Sequence, residues 1–192
     1  MAWHAGHVPT NVVLEPALDR PDLLAGPTAK ALAALSSTLP TDRIRVGAID
    51  PSLADTAAFC AEYGVGLDES ANCVVVAAKR AGVTTYAACL VLATTRADIN
   101  GLARRHLNAR KISFAPMDEA VELTGMEYGG ITPRGLPAGW PVLVDAAVAA
   151  APEVVIGSGI RGSKIWLPGQ ALALLPDAEV LDGLGAPPNV AL

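Results

Sequence analysis

The sequence feature that most constrains this chain is a stretch rich in glycine and proline, Met126 to Asp145. Glycine permits backbone conformations that other residues avoid, and proline fixes φ and removes an N–H donor, so this stretch predicts a shaped loop. Adjacent Gly129 and Gly130 offer small amides to a ligand, although a plain connection between strands explains the same pattern. A second glycine turn, Gly157–Gly162, repeats the chemistry and adds the cation of Arg161. The two turns are the first candidates for a functional site.

Helical and strand patterns alternate irregularly around these turns. The clearest element is a hairpin, with β-rich runs at 72–79 and 83–94 joined by a short turn. Other patterns predict strands at 43–49, 111–114, 142–144, 153–156 and 163–167, and helices at 27–37, 50–63, 97–107, 116–125 and 168–175. Hairpins mixed with crossovers predict an α+β fold, in which a mixed β-sheet curls toward a barrel and helices flank it.

The second glycine turn also fits the spacing of a dinucleotide-binding loop. In that fold the glycines open a helix whose N-terminus holds the phosphates. Here the residues that follow, Ser163 to Leu167, are strand-like. We therefore do not expect a doubly wound nucleotide-binding fold.

The distribution of proline divides the chain into three parts. Residues 1–40 contain several prolines and one helical pattern, and we interpret them as an N-terminal arm with a helix. Residues 41–176 hold the predicted sheet and its helices. Residues 177–192, with Pro187 and Pro188, are predicted to form a C-terminal tail.

Charge limits the contact with nucleic acid. The chain has 14 basic and 19 acidic residues and a formal net charge of −5. Proteins that coat nucleic acid are usually basic, so we expect no DNA partner and only a small, local contact with any nucleic acid. One local basic group exists, and its place near a predicted helix C-terminus already explains half of it by the helix dipole. Its members are Arg104, Arg105, Arg110 and Lys111.

Composition also bears on location and on metals. No apolar run approaches the roughly 20 residues of a membrane helix, and the first residues lack the pattern of a signal peptide. We therefore expect a cytoplasmic protein with no membrane partner. Three cysteines without a Cys-x-x-Cys pair and three histidines predict no metal site and no cofactor.

Several of these features together resemble the YbaK-type aminoacyl-tRNA editing family. They are the run Gly129-Gly-Ile-Thr-Pro133, a strand that ends in Asp145, and the turn Gly157-Ser-Gly-Ile-Arg-Gly162. The resemblance extends from about Arg45 to about Leu175 and includes the hairpin, so residues 41–176 become an editing-type domain. This family includes free-standing prolyl-tRNA editing proteins and the editing domains associated with prolyl-tRNA synthetases. It implies a mixed, barrel-like sheet flanked by helices, in agreement with the independent interpretation.

The resemblance implies hydrolysis of the ester of a mischarged tRNA that carries a small amino acid. The partner would be the 3′ end of the tRNA. The amides of the loop that ends at Pro133, those of Gly129, Gly130, Ile131 and Thr132, would hold the ester carbonyl or the terminal ribose, as an oxyanion hole does. The resemblance implies a mechanism that uses the substrate's own ribose hydroxyl and a positioned water, without a metal or a covalent intermediate.

Two positions depart from the family pattern. Asn72 stands where the family usually has a lysine that contacts the substrate, and Lys164 stands where some members have an acid. Lys79 cannot replace the missing lysine, because it would lie about 20 Å further along the strand. Either Lys164 supplies the cation in a rewired pocket, or the activity has been lost. For each of the two positions a purely structural role is an equal alternative, since asparagine suits strand ends and a strand lysine is often solvated.

The remaining candidates have structural alternatives of similar weight. Asp145 either orders the glycine loop and a water or accepts backbone amides at the strand end. Arg161 either holds a tRNA phosphate or is a plain surface cation. Thr132 and Ser158 supply small hydroxyls that suit an amino acid or a water. Gly157 and Gly159 complete the predicted substrate-binding set, together with Ile131 and Pro133.

Two functions are therefore compatible with the sequence. The first is a free-standing aminoacyl-tRNA deacylase that acts in trans. The second is a non-catalytic relative that uses the same pocket to bind an amino acid, a nucleotide or a protein partner. The intact glycine turns favour the first function, and the missing lysine favours the second.

Overall fold

The computed structural model describes residues 11–34 and 43–188. Strands β1 to β11 span Glu15–Pro16, Arg45–Ala48, Ala71–Arg80, Val83–Leu92, Arg96–Ala97, Lys111–Phe114, Val142–Asp145, Val154–Gly157, Ser163–Leu167, Ala178–Leu181 and Gly185–Ala186. Helices α1 to α6 span Gly26–Ala33, Thr56–Tyr63, Arg104–His106, Met117–Thr124, Ala146–Ala150 and Gln170–Ala173. The α+β class predicted from the sequence is confirmed.

Two sheets carry the fold. One has the strand order β1-β2-β9-β8 and is antiparallel, and the other has the order β10-β7-β4-β3-β6 and is mixed. A bridge from Ser70 to Val155 joins them at one edge, and β11 pairs with β5 separately. The predicted curled sheet is therefore realised as two sheets that meet at an edge, and within the described residues they do not close into a barrel.

The hairpin of β3 and β4 lies at the centre of the larger sheet. Successive side chains of a strand point to opposite faces, so each strand supplies two layers of the core. Ala88 and Leu90 pack in the cluster between the two sheets, where Ile165 and Leu167 of β9 also lie. On the other face, Cys89 and its neighbours pack in a second cluster with Ile99 and Leu184. This double burial explains why both strands are predominantly apolar.

Glycines end two of the helices where the sequence predicts. Gly64 follows α2 with φ 68°, and Gly125 follows α4 with φ 65°. Both angles lie in the left-handed region that favours glycine at a helix C-terminus. The predicted helix at 97–107 is only partly regular, because a π-helical stretch, Ile99–Ala103, precedes the short α3.

Both predicted ends of the chain contribute to the core. In the N-terminal part, β1 pairs with β2, and Leu24 and Leu32 are buried in the main cluster. The end of the helix predicted at 27–37 lies outside the described residues. After residue 176 in the chain, β10 adds a parallel strand to β7, and Leu184 is fully buried. The expectation of a tail from residue 177 is wrong for this segment, because β10 pairs with an edge of β7 that would otherwise be open.

No helix within residues 11–34 and 43–188 has the length and apolar character to cross a bilayer.

Candidate active site

A cavity of about 490 Å³ lies where the two sheets meet. The start of β3, the start of α2, the loop from β6 to α4 and both glycine turns form its walls. Five residues predicted for the site line it: Asn72, Gly129, Ile131, Gly157 and Lys164. The structure thus brings together residues that are as far as 92 positions apart in the chain (164 minus 72).

The two glycine turns contact each other through their backbones. The N–H of Gly159 donates to the carbonyl of Gly130 at 2.8 Å, and the N–H of Glu127 donates to the carbonyl of Gly159 at 2.8 Å. A Cβ on Gly157 would run into the carbonyl of Gly130, and one on Gly130 would lie 2.6 Å from the backbone carbon of Ile160. Glycine is therefore required at these two positions by close packing of backbone against backbone.

Gly129 and Ile131 both line the cavity. Gly129 has φ 79°, a conformation that favours glycine. Within the described residues, the N–H groups of Gly129 and Ile131 have no hydrogen-bond acceptor. The N–H of Gly130, in contrast, donates to the carbonyl of Glu127 at 2.9 Å. Two of the three successive amides thus lack an acceptor in the described part of the chain, and the middle one closes the turn.

Arg161 fixes the rim of this cavity. Its guanidinium donates to the carbonyl of Pro51 at 3.2 Å and to the carbonyl of Tyr128 at 3.3 Å, and it lies 3.9 Å from the carboxylate of Asp55. A Cβ on Gly129 would collide with this guanidinium. Arg161 does not itself line the cavity. Its contacts join two segments of the rim to the second glycine turn.

Lys164 brings a buried cation to the cavity. The residue is only 8% exposed, and its Nζ donates to the carbonyl of Ala54 at 2.9 Å and lies 5.4 Å from the ring centroid of Phe59. Burial lowers the pKa of Lys164 below its ordinary value, and nearby Arg161 acts in the same direction, whereas Asp55 opposes the shift. An ammonium with one carbonyl partner in a largely apolar place is costly, which marks it as a functional candidate.

Asn72 lines the cavity from near the start of β3. Its Oδ1 accepts a hydrogen bond of 2.6 Å from the hydroxyl of Thr56, at the first position of α2. The Nδ2 of Asn72 has no partner in the described part of the chain. Asn72 therefore serves the strand end and also leaves one polar group available at the cavity.

The structure places the other predicted site residues away from the cavity. Asp145 caps α5, because it accepts from the N–H of Ala147 at 2.9 Å and from the N–H of Gly185 at 2.7 Å. The hydroxyl of Ser158 is held by that of Ser163 at 2.7 Å. None of the following predicted residues lines the cavity: Gly130, Thr132, Pro133, Asp145, Ser158 and Gly159. The contacts of Asp145 are those of the structural alternative, in which its carboxylate accepts backbone amides at the strand end.

Other lining residues were not singled out from the sequence. Asp55 and Thr56 stand at the start of α2, and Tyr128 immediately precedes the first glycine pair. An apolar wall is supplied by the hairpin and by the loop before α4, and it includes Val74, Val75, Phe114, Ala115, Met117 and Ile156. The one available signal for Asp55 was its place as an acid at a predicted helix start.

The described residues offer no metal centre, since no three His, Cys, Asp or Glu side chains among them are grouped to hold an ion. The polar groups that line the cavity are backbone amides, the buried ammonium of Lys164, the amide of Asn72 and the mostly exposed carboxylate of Asp55, together with the hydroxyl and thiol groups of Thr56, Ser70, Tyr128 and Cys73. Such a set binds and polarises a carbonyl, and it contains no serine or cysteine paired with a histidine as a nucleophile would require.

Solved structures of the same fold are known. The chain is similar to a candidate trans-editing enzyme for prolyl-tRNA synthetase, with a TM-score of 0.68 and 22% identity over 83% of this chain and 97% of the other. A protein from work on computational grafting of epitopes onto scaffolds matches with a TM-score of 0.68 and 21% identity, over 83% of this chain and 97% of that one. A hypothetical protein matches with a TM-score of 0.68 and 22% identity, over 80% and 97%. At these identities the likeness establishes the fold.

The sequence itself carries the family assignment. The family model of the aminoacyl-tRNA editing domain matches residues 50–175, about two thirds of the chain. That range contains both glycine turns, Asn72 and Lys164, so every wall of the cavity lies within it. The resemblance drawn from the glycine turns is thereby confirmed, and the chain belongs to the aminoacyl-tRNA editing domain family.

Proposed function

We propose that this chain is a free-standing deacylase that hydrolyses the ester of a mischarged aminoacyl-tRNA, acting in trans in the cytoplasm. The observation that carries the proposal is the pair of amides at Gly129 and Ile131, which lie on the cavity wall without an acceptor in the described part of the chain. An ester carbonyl is the acceptor that such a pair suits. The family assignment supplies the RNA partner, whose 3′ end would enter the cavity.

Catalysis at this site would come from polarisation of the carbonyl. As water attacks the ester carbon, negative charge develops on the carbonyl oxygen, and fixed N–H donors stabilise that charge without reorganisation. Removing one such donor typically slows a reaction by about 100- to 1,000-fold. In the family mechanism implied by the resemblance, the ribose hydroxyl of the substrate assists a positioned water. The chain then has to supply only donors, shape and charge.

Lys164 is proposed as the cation beside the terminal nucleotide. It replaces in function the lysine that the resemblance places at position 72, from a strand on the opposite wall of the cavity. Its register partners on both sides are glycines, Gly47 and Gly157, so no neighbouring side chain competes for the space beside it on β9. The Nδ2 of Asn72 adds a neutral donor from the β3 side of the cavity.

The walls favour a small, uncharged amino acid. The apolar side chains of β3, of the β6–α4 loop and of Ile156 enclose one part of the cavity and offer no partner to a charged side chain. Asp55 is the carboxylate that lines the cavity, and a substrate ammonium is its natural partner. The amino acid would therefore present its ammonium to the rim and its side chain to the apolar wall.

A non-catalytic binding function is the second candidate. The observation that favours it is the hydrogen bond from Lys164 to the carbonyl of Ala54, which engages the cation in the fold itself. In that case the pocket binds an amino acid or a nucleotide and turns nothing over. Ligand binding without deacylation distinguishes this function from the first.

The test is a deacylation screen of the whole chain against tRNAs mischarged with small amino acids, together with the variant Gly129→Ala. At φ 79° an alanine costs about 1–2 kcal/mol, and its Cβ displaces Arg161 from the rim. We expect this variant to lose at least 100-fold in rate. Gly183→Ala is the matched control, because Gly183 has φ 76°, open space around its Cβ position and no part in the cavity.

Full activity in Gly129→Ala, or an equal loss in Gly183→Ala at a temperature where both are folded, would remove the loop from the mechanism. Absence of deacylation across the panel, with retained binding of an amino acid or nucleotide, would support the second candidate.

A further inference from the structure

A second cavity, also of about 490 Å³, lies at the other end of the central hairpin. It is lined by the start of β4 (84–86), by the segment after α3 (106–108), by the loop before β7 (139–141) and by Glu179. Tyr86 pairs across the hairpin with Ala77, which is five residues along β3 from Asn72. The positions of Asn72 and Tyr86 are therefore offset by roughly 17 Å along the sheet, whereas Val75, which also lines the first cavity, is only two residues from Ala77.

Two stacked aromatic rings form part of the second cavity. Tyr86 and Trp140 have ring centroids 5.1 Å apart and planes inclined by 20°, and each ring is partly exposed. The hydroxyl of Tyr86 donates to the carboxylate of Glu119 at 2.7 Å, which fixes the ring. A rigid, partly exposed aromatic pair in a solvent-open cavity is suited to stack against another planar group.

Basic side chains gather at the same end of the sheet. Lys79 and Lys111 lie directly opposite each other on adjacent strands, an arrangement that is unfavourable unless an anion lies between or beside them. Arg80 donates to the carbonyl and to the side chain of Asn108 at 2.9 and 2.7 Å, and Asn108 lines the cavity. The exposed cations of this basic group are Lys79, Arg80, Arg104, Arg105, Arg110 and Lys111.

The charges of this region are unbalanced. Six of the 14 basic residues belong to the basic group, although the chain as a whole is acidic. Within the described residues, none of the six forms an ion pair. Two acids next to the cavity are engaged by other groups: Glu179 contacts His106 at 2.9 Å, and Glu119 holds Tyr86. Aromatic stacking surface beside unpaired cations is the combination by which proteins bind single-stranded nucleic acid.

We propose that the second cavity binds an unpaired nucleobase of an RNA strand, stacked on Tyr86 and Trp140, while the basic group holds the adjoining phosphates. This inference rests on the proposed function in one respect, the choice of RNA as the polyanion. Lys111 and Phe114 are the two ends of β6, and Phe114 lines the first cavity, so the basic group begins about 10 Å from the candidate active site. One RNA molecule can occupy both places.

The test measures binding separately from hydrolysis. A short unacylated single-stranded RNA, which contains no ester, is titrated into the full chain carrying Trp3→Phe, so that Trp140 and the buried Trp166 remain as fluorophores. We expect quenching of Trp140. The Kd of a labelled RNA, followed by anisotropy, should weaken about ten- to a hundredfold in Trp140→Ala and stay near that of the wild type in Trp140→Phe.

Salt dependence tests the cations independently of the aromatic pair. Four phosphate contacts predict a slope of about −3 in log K against log salt, at about −0.7 for each contact with a single strand. Lys79→Ala combined with Lys111→Ala should reduce the magnitude of the slope by about 1.4. Lys30→Ala, an exposed lysine on α1 outside the basic group, should leave it unchanged.

Several results would overturn the proposal. The first is RNA binding that gives no Trp140 signal and has an unchanged Kd in Trp140→Ala. The second is equal quenching and equal affinity with an acidic peptide of the same charge. The third is the absence of RNA binding. The proposed function fails separately. If mischarged tRNA is not hydrolysed while the Trp140 and salt effects persist, the RNA site remains and the deacylase does not.

Discussion

Lys164→Met is the substitution that best separates function from stability at the candidate active site. Methionine keeps an unbranched apolar stem of similar reach and removes only the charge. In the wild type, the ammonium is 8% exposed, donates one hydrogen bond to Ala54 and lies over Phe59. The effect on folding is therefore the balance between these two contacts and the cost of burying the charge.

The opposing contributions are of similar size. The charged hydrogen bond contributes about 1.5–3 kcal/mol and the contact with the ring about 0.5–2 kcal/mol. Removing an ammonium from water costs several kcal/mol, which methionine avoids. We therefore expect the free energy of unfolding to change by no more than about 1 kcal/mol, in either direction. If the ammonium contacts the substrate, its loss costs about 1.5–3 kcal/mol, or roughly ten- to a hundredfold in rate.

The assay is single-turnover deacylation of the best mischarged tRNA, alongside urea unfolding of the same preparations. Lys30→Met is the control, because Lys30 is exposed on α1 and distant from the cavity lining. Asn72→Lys, tested alone and with Lys164→Met, completes a double-mutant cycle. We expect it to add nothing to the wild type and to restore part of the rate of the methionine variant.

An unchanged rate in Lys164→Met would refute the reasoning and would assign the lysine to the fold. A rate loss that follows a loss of stability of several kcal/mol would do the same, because the contact with Ala54 would then be the main role of the ammonium.

Three further outcomes are expected. After subtraction of the uncatalysed rate, wild-type deacylation should fall as pH rises through the lowered pKa of Lys164, and Lys164→Met should lack this fall. Between that pKa and the ordinary value of 10.5, the unfolded chain binds more protons than the folded chain. The free energy of unfolding of the wild type should therefore rise with pH in that range. Asp145→Ala should lower the free energy of unfolding by about 1–3 kcal/mol and leave kcat/KM unchanged in folded protein, because both carboxylate oxygens accept backbone amides away from the cavity. Gly157→Ala should lower both stability, by about 1–3 kcal/mol in urea unfolding, and activity, because its Cβ meets the carbonyl of Gly130, whereas Gly26→Ala, with open space and an ordinary φ, should do neither.

Local chemistry made much of the fold predictable from the sequence. The hairpin follows from two apolar runs around a short turn, and β3 and β4 are observed close to the predicted bounds. Gly64 and Gly125 end their helices because each adopts a left-handed conformation. The strand after the second glycine turn was predicted at 163–167, where β9 lies. In each case a few adjacent residues carry the whole signal.

Long-range pairing was not predictable in the same way. The segment at 178–181 contains an acid and follows a proline, and it becomes a strand only because β7 offers it a parallel edge. Asp145 ends a strand in the sequence, but its second acceptor contact, with Gly185, comes from 40 residues further on. Similarly, the hydroxyl of Ser158 is bonded to that of Ser163, and Ser163 in turn donates to the carbonyl of Leu23 in the N-terminal segment. Residues in the glycine turns were therefore assigned to the site although only some of them line it.

The resemblance implies that Lys164 takes the place of a lysine at position 72, and we propose a geometric reason for such an exchange in the two-sheet arrangement. β3 and β9 belong to different sheets, and the cavity lies where those sheets meet, so each strand supplies one wall. A flexible four-carbon stem allows an ammonium on either wall to reach the same ligand group. Two ammonium groups at one site would repel each other, so a gain on one wall makes a loss on the other favourable. Lys164 with Asn72 is therefore a self-consistent pair. In the variant Asn72→Lys, we expect the second ammonium to lower the pKa of Lys164 further.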